Sequence, residues 1–114
     1  MVFRGEIYWV ASEEGGPAHP HVVVQEDVFN HSRIHTVIVC ALTSNLHRAN
    51  EPGNVLLDED EAKLPKRSVV LVSQIDSIPK SRLGERIGSL SQDRVEQILA
   101  GLRFQQRAFF GDRR

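Results

Sequence analysis

Cysteine is nearly absent from the chain, and so are long apolar runs. Of 114 residues one is a cysteine, Cys40, which excludes an internal disulfide and a metal site built from a cysteine cluster. It lies in an apolar run, where free cysteines are commonly buried, so we interpret it as structural. No apolar run approaches the roughly 20 residues that a membrane-spanning helix needs. Arg4 and Glu6 interrupt the N-terminus where a secretion signal would carry its apolar stretch. We therefore predict a cytoplasmic protein with no membrane partner.

The chain also lacks an excess of charge of either sign. Its formal net charge is −1, so the composition does not indicate a nucleic-acid binder. Charge is nevertheless clustered, since Asp58–Glu61 are acidic while Lys63–Arg67 and Lys80–Arg86 are mainly basic. A solvated surface is the default interpretation of each cluster. Any site for an anion must therefore be local and shaped rather than a broad basic face.

Short runs rich in β-branched residues recur along the chain, bounded by Gly, Pro, Asn and Ser. The runs are Gly5–Ala11, His21–Gln25, Thr36–Thr43, Asn54–Leu57, Ser68–Ile75 and Arg86–Leu90. The length gives room for one domain over residues 1–114. Five or six short strands with few helical intervals predict a mainly β fold, a small antiparallel barrel or sandwich.

One helix is predicted after the strands. Ser91 is a suitable N-cap, and Asp93 suits the positive end of the helix dipole. Gly101 is expected to weaken the helix by about 1 kcal/mol relative to alanine. One apolar stripe with helical spacing is formed by Val95, Ile98, Leu99 and Leu102. We expect this stripe to face the sheet.

Two features suggest contacts beyond a single core. Phe104, Phe109 and Phe110 extend the apolar character of the helix, which fits either core packing or a partner surface. The runs Val37–Leu42 and Ser68–Val72 are apolar on both faces, which predicts burial on both sides of the strand. In so small a chain another subunit often supplies the second cover, so we expect a homodimer with two-fold symmetry.

The apolar run Val37–Leu42 is followed at once by Thr43, Ser44 and Asn45. Read alone, these three residues fit a polar turn that ends a core strand. They also fit a binding site, because a hydroxyl at the end of a rigid strand is held in a defined position. Such a hydroxyl can donate a hydrogen bond to a phosphate oxygen as negative charge develops. The residues alone leave both readings open.

An ordered set of motifs runs from about Arg4 to Leu102. The set consists of "RGEIYWV", a Gly-rich loop ending in His-Pro, "HVVVQEDVFN", "TVIVCALTSNL", "PGNVLL", "RSVVLVSQI" and "KSRLGERIGSLS". Taken together, these motifs resemble the MazF/PemK family of toxin endoribonucleases. The resemblance implies an SH3-like barrel of the CcdB/PemK type with a C-terminal helix. It also implies a homodimer that cuts single-stranded RNA with no metal and no cofactor, neutralised by a cognate antitoxin whose disordered tail wraps the dimer.

The resemblance assigns roles to particular residues. It places Thr43 in the RNA-cleaving site, at the end of the third strand. Ser44 and Asn45 would extend that site or contact unstacked bases, as recognition of single-stranded RNA requires. Gln74 matches a glutamine of the family's fifth strand, where it either contacts RNA or satisfies buried backbone.

The most consequential departure from the family is His19. The family usually carries an arginine there, whose guanidinium grips the scissile phosphate through two hydrogen bonds. An imidazole cannot form that clamp, but it can transfer a proton near neutral pH. Either His19 acts as general acid or base in attack by a 2′-hydroxyl, or the site is impaired, or Arg82 or Arg86 supplies the clamp.

Other departures limit what the resemblance predicts. The arginine and aspartate that some members carry in the fifth strand are replaced by Leu71 and Ser73. His31, His35 and His47 show no spacing suited to a metal. A binding toxin related in fold to the gyrase poisons is an alternative, although the C-terminal tryptophan of those toxins is missing. A catalytically silent relative that acts only in an antitoxin complex is another.

Overall fold

A computed structural model describes residues 1–107 of the chain; Phe109 and Phe110, expected on a core or partner surface, lie outside the described residues. The strands are β1 Glu6–Val10, β2 His19–Val23, β3 Thr36–Thr43, β4 Val55–Leu56, β5 Val69–Pro79 and β6 Leu83–Ser89. The helices are α1 Asp27–Asn30 and α2 Gln92–Gln105. Within residues 1–107 no helix combines the length and apolarity needed to cross a membrane.

The six strands form one antiparallel sheet in the order β4-β5-β3-β2-β1-β6. The predicted mainly β fold with a C-terminal helix is therefore confirmed. In the described residues the edge strands β4 and β6 are not paired with each other, so the sheet is open. The term barrel describes its curvature only approximately.

Alternation along the strands gives the sheet two apolar faces, because successive side chains point to opposite sides. One face packs against α2 and includes Ile7, Val22, Cys40, Leu42, Val70 and Val72. The opposite face carries a second cluster of Tyr8, Val10, Val23, Val37, Val39 and Ile78. The two-sided burial predicted for β3 is thus achieved inside one chain. It therefore does not require a second subunit, and the homodimer stays a prediction.

The C-terminal helix α2 begins as the sequence predicts. The Ser91 hydroxyl accepts a hydrogen bond from the Arg94 backbone N–H at 3.2 Å. Val95, Ile98 and Leu102 are buried in the first cluster, with Leu99 packed against it. Phe104 is 52% exposed, so it is not a core residue.

Packing explains why a glycine occupies position 101 of α2 despite its low helix propensity. A Cβ built on Gly101 would collide with the carbonyl oxygen of Gly53, in the loop before β4. Gly53 itself has a φ of +81°, a conformation that glycine adopts without steric cost. The helix and this loop therefore approach backbone to backbone, and the approach requires a residue without a side chain on the helix.

Strand β5 contains a bulge where it pairs with β3. Val70 is opposite Leu42 and Ile75 is opposite Cys40. The stretch 71–74 on β5 therefore lies between partners that are separated on β3 by Ala41 alone. Such bulges bend a strand and redirect its side chains. Residues 73–77, from within the bulge onward, are exposed.

Candidate active-site groove

A groove of about 540 Å³ opens at the end of the face that carries the second apolar cluster. It is bounded by β2, β3, the bulge of β5, the loop after β1 and the turn before β6. Its polar and charged lining consists of Ser12, Glu13, Glu14, His19, His21, Thr43, Arg48, Gln74, Asp76 and Arg82. Four residues predicted from the sequence, His19, Thr43, Gln74 and Arg82, are therefore brought together from distant parts of the chain.

His19 and Thr43 share this groove because of the register of β2 and β3. His21 is opposite Ala41 and Val22 is opposite Cys40. His19 lies two residues before His21, and Thr43 lies two residues after Ala41, so both lie on the face of the sheet that carries His21 and Ala41. On its other side His19 is opposite Val10 of β1. His19 is exposed, so its ring is open to a ligand that enters the groove.

The Thr43 hydroxyl is held in place by the turn that follows β3. Its Oγ1 accepts a hydrogen bond from the Asn45 backbone N–H at 3.1 Å. A hydroxyl carries one donor proton in addition to its acceptor lone pairs. Because the turn uses only the acceptor, the proton of Thr43 is free to be donated to a phosphate oxygen. Thr43 therefore stabilises the turn after β3 and lines the groove at the same time.

Ser44 and Asn45 lie beside the groove and do not line it. Both are exposed. The Asn45 side-chain oxygen accepts a hydrogen bond from the His47 backbone N–H at 3.2 Å and caps the short 3-10 helix Leu46–Asn50. That helix in turn carries Arg48 to the groove wall, where it pairs with Glu51 at 2.9 Å.

Gln74 reaches the groove because of the β5 bulge. It is exposed, which does not fit the alternative that it satisfies buried backbone. Asp76, two residues further on, lines the groove as well. Asp76 was not predicted as a site residue, because the bulge that turns this segment outward depends on pairing with β3.

The two arginines that could replace the family's guanidinium lie in different surroundings. Arg82 lines the groove, where its Nη2 donates to the Ala11 carbonyl oxygen at 2.6 Å and its Nη1 to Glu13 at 3.4 Å. A guanidinium has five N–H donors, so about three of them remain for a ligand. Arg82 is thus anchored to the loop after β1 and still available.

Arg86 does not line the groove. It lies opposite Tyr8 on β6, and its Nε donates to the buried Glu6 carboxylate at 2.8 Å. The same carboxylate accepts the Tyr8 hydroxyl at 2.8 Å and the Phe3 backbone N–H at 2.8 Å. Burial, with Glu6 as the next cause, raises the pKa of Tyr8 to about 12. Arg86 therefore has a structural contact that joins β6 to β1.

His21 is a groove residue that the sequence reasoning missed. It is half-buried, and its Nδ1 lies 3.0 Å from the His19 carbonyl oxygen. Burial lowers the pKa of its imidazole, and the positive charges of His19 and Arg82 lower it further, against the opposing effects of that hydrogen bond and of Asp76. The signal was present in "HPH", since residues two apart on a strand share a face.

Within residues 1–107 no group of three or more His, Cys, Asp or Glu side chains is arranged to hold a metal ion. Cys40 is buried away from the groove in the first apolar cluster, and burial raises the pKa of its thiol to about 12. The groove itself carries hydroxyl, imidazole, amide, guanidinium and carboxylate groups.

Comparison with known proteins gives concordant matches. A sequence model described as PemK-like, MazF-like toxin of type II toxin-antitoxin system matches residues 3–105. Relatives include endoribonuclease MazF2 of Mycobacterium bovis and endoribonuclease MazF6 of Mycobacterium tuberculosis. Each is 35% identical over 108 residues, which cover 90% of this chain and 95% of the relative.

Similar solved structures share the fold at low sequence identity. An endoribonuclease in complex with its cognate antitoxin from Mycobacterial species has a TM-score of 0.77 at 22% identity, covering 91% of this chain and 93% of that chain. The Mycobacterium tuberculosis toxin MazF-mt6 has a TM-score of 0.74 at 21% identity, covering 94% and 98%. A MazE-MazF structure from Deinococcus radiodurans has a TM-score of 0.74 at 20% identity, covering 97% of each chain.

Proposed function

Because the chain belongs to the PemK-like, MazF-like toxin family of type II toxin–antitoxin systems, we propose that it is an endoribonuclease that cleaves single-stranded RNA in the groove. The observation that carries the proposal is the convergence of His19, Thr43 and Arg82, from three separate segments, on one concave surface. The relatives at 35% identity are named endoribonucleases, which supports the same activity here.

The proposed reaction is attack by a ribose 2′-hydroxyl on the adjacent phosphorus. The P–O5′ bond breaks, leaving a 2′,3′-cyclic phosphate on one fragment and a free 5′-hydroxyl on the other. The Thr43 hydroxyl donates a hydrogen bond to a phosphate oxygen on which negative charge builds up, where a fixed donor lowers the barrier most. His19 moves a proton, which is the task that an imidazole performs near neutral pH. The reaction needs no metal ion.

Arg82 supplies the cation that the family's arginine would otherwise bring. Its guanidinium lines the groove, whereas that of Arg86 bonds Glu6 and Ser89. Glu13, Glu14 and Asp76 also line the groove. The positive charge that Arg82 brings to the phosphate is therefore confined to a small part of the groove. Gln74 contacts a base inside the groove, and Ser44 and Asn45 contact RNA at its rim.

The proposed partners follow from family membership. The toxin acts in the cytoplasm as a homodimer and is neutralised by a cognate antitoxin whose disordered tail folds on binding. One structural neighbour is an endoribonuclease in complex with its cognate antitoxin, which supports that partner. Exposed apolar side chains are available for such contacts at Phe29, Ile34, Ile75 and Phe104.

The test is cleavage of a long RNA by the purified protein in the presence of EDTA. Wild-type protein is expected to cut, and His19→Ala to lose about 10²-fold or more of the rate, as for a removed proton-transfer group. His35→Ala is the matched control, because His35 is exposed and outside the groove. Intact RNA across a broad panel of sequences would refute the nuclease. Inhibited DNA supercoiling without RNA cleavage would instead favour a binding toxin.

A further inference from the structure

His21 lies where a second proton-transfer group would be needed. Residues 19 and 21 of β2 point to the same face of the sheet, two positions apart. Both line the groove together with Thr43. His21 is half-buried while His19 is exposed, so the two imidazoles occupy the inner and outer parts of one surface. In-line displacement at phosphorus needs a proton removed on one side and a proton delivered on the other.

The hydrogen bond of His21 fixes its tautomer. Its Nδ1 lies 3.0 Å from the carbonyl oxygen of His19. A carbonyl oxygen can only accept, so Nδ1 carries the hydrogen and donates it. In a neutral imidazole the other ring nitrogen is then unprotonated. The backbone of β2 therefore presents Nε2 of His21 as a proton acceptor.

The surroundings of His21 favour its neutral form at pH 7. Burial is the largest cause that lowers its pKa, and the nearby His19 and Arg82 side chains lower it further, while the hydrogen bond to the His19 carbonyl oxygen and the charge of Asp76 raise it. The register neighbour on β1 is Tyr8, whose pKa of about 12 keeps its phenol neutral. The remaining charged groups of the groove are Glu13, Glu14 and Arg48.

We propose that His21 is the general base of the RNA cleavage reaction and that His19 is its general acid. Nε2 of His21 takes the proton from the 2′-hydroxyl as the 2′-oxygen bonds to phosphorus. The P–O5′ bond breaks, and the departing 5′-oxygen takes a proton from His19. One proton enters the protein and one leaves it, so charge and atoms balance. This assignment rests on the proposed nuclease function and deepens it.

The test compares His21→Gln with His19→Gln on two substrates. One is a natural RNA, and the other carries sulfur in place of the bridging 5′-oxygen at the mapped cleavage position. Each variant is expected to lose about 10²–10⁴-fold of kcat/KM on the natural RNA. A thiolate leaves without protonation, so the sulfur substrate is expected to restore the rate of His19→Gln only. His35→Gln serves as the control, and melting temperatures show that each variant is folded.

The pH profile of the wild-type protein gives a second readout that needs no variant. A general base must be unprotonated and a general acid protonated, so kcat/KM should rise with pH as His21 loses its proton and fall at higher pH as His19 loses the proton that it must donate. Since the pKa of His21 is lowered, the rise should lie below the usual imidazole value of about 6.5. This limb should disappear in His21→Gln.

The outcomes separate the inference from the function on which it rests. If wild-type protein cuts RNA and folded His21→Gln cuts it equally well, or if the sulfur substrate restores His21→Gln, then His21 is not the base. An acidic limb that survives unchanged in His21→Gln would also overturn the assignment. If wild-type protein cuts no RNA at all, the proposed function itself fails.

Discussion

Replacing Thr43 by valine removes one hydroxyl from the groove and leaves the shape of the side chain nearly unchanged. Both residues are β-branched and suit a strand. The change therefore isolates the hydroxyl, whose acceptor side bonds the Asn45 backbone N–H at 3.1 Å and whose proton is free. Loss of the donor from the transition state is expected to lower the cleavage rate by about 10²–10³-fold, or about 2.7–4 kcal/mol.

The cost of the same change to folding is much smaller. The turn loses one hydrogen bond, worth about 0.5–1.5 kcal/mol. Asn45 is exposed, so water can satisfy its N–H, and the loss should fall at the low end of that range. A stable domain has about 5–15 kcal/mol, so the variant stays folded. The loss of activity should thus exceed the loss of stability severalfold.

The assay is single-turnover cleavage of a defined RNA, with thermal unfolding measured on the same preparations. Thr43→Ser keeps the hydroxyl and should retain activity within about tenfold, or about 1.4 kcal/mol. Thr36→Val is the matched control, because Thr36 is exposed at the other end of β3. If folded Thr43→Val cuts RNA at the wild-type rate, the hydroxyl has no part in the reaction, and Thr43 is only a turn residue.

Three further predictions concern the scaffold. Gly101→Ala should destabilise the protein by about 1–3 kcal/mol in urea unfolding, because the added methyl group overpacks against the Gly53 carbonyl. An unchanged or higher stability would mean that the close approach of α2 to the Gly53 loop is not required. Cys40 should resist alkylation at pH 8 in the native protein and react in urea, because a pKa of about 12 leaves roughly a thousandfold less thiolate than in an exposed cysteine. Fast alkylation of the native protein would contradict its burial. Arg86→Gln leaves the Glu6 carboxylate, which is 11% exposed, without its cation. It should lower the free energy of unfolding by about 1 kcal/mol, a value reduced for solvent screening because Arg86 is half exposed. A large loss of cleavage with unchanged stability would place Arg86 in the RNA site instead.

Much of the fold could be predicted because local patterns agree with it. The strand pattern of Thr36–Thr43 and the cap and stripe of α2 are properties of neighbouring residues, and the structure confirms them. The start of β2 was predicted at His21, but the strand begins at His19. Pro20 reads locally as a loop residue, whereas pairing with Trp9 of β1 holds it in the sheet.

The groove was less predictable because its geometry depends on pairing between distant strands. His19 and Thr43 were found through resemblance to a family, and their common location follows from the register of β2 and β3. His21 was overlooked although it stands beside His19, because the resemblance offers no functional residue at that position. Asp76 and Gln74 reach the groove through the β5 bulge. The residue pattern within β5 does not predict that bulge. The difference between Arg82 and Arg86 likewise depends on which carboxylate lies near each guanidinium.

The chemistry of the fragment ends tests the central claim most directly. Wild-type protein is to be incubated with a defined RNA in EDTA, and the cut position and both new ends identified by mass spectrometry. Attack by the 2′-hydroxyl in the groove predicts a 2′,3′-cyclic phosphate and a 5′-hydroxyl, and no cut when that one ribose is 2′-deoxy. A 3′-hydroxyl with a 5′-phosphate, or cleavage at the deoxy position, would contradict it.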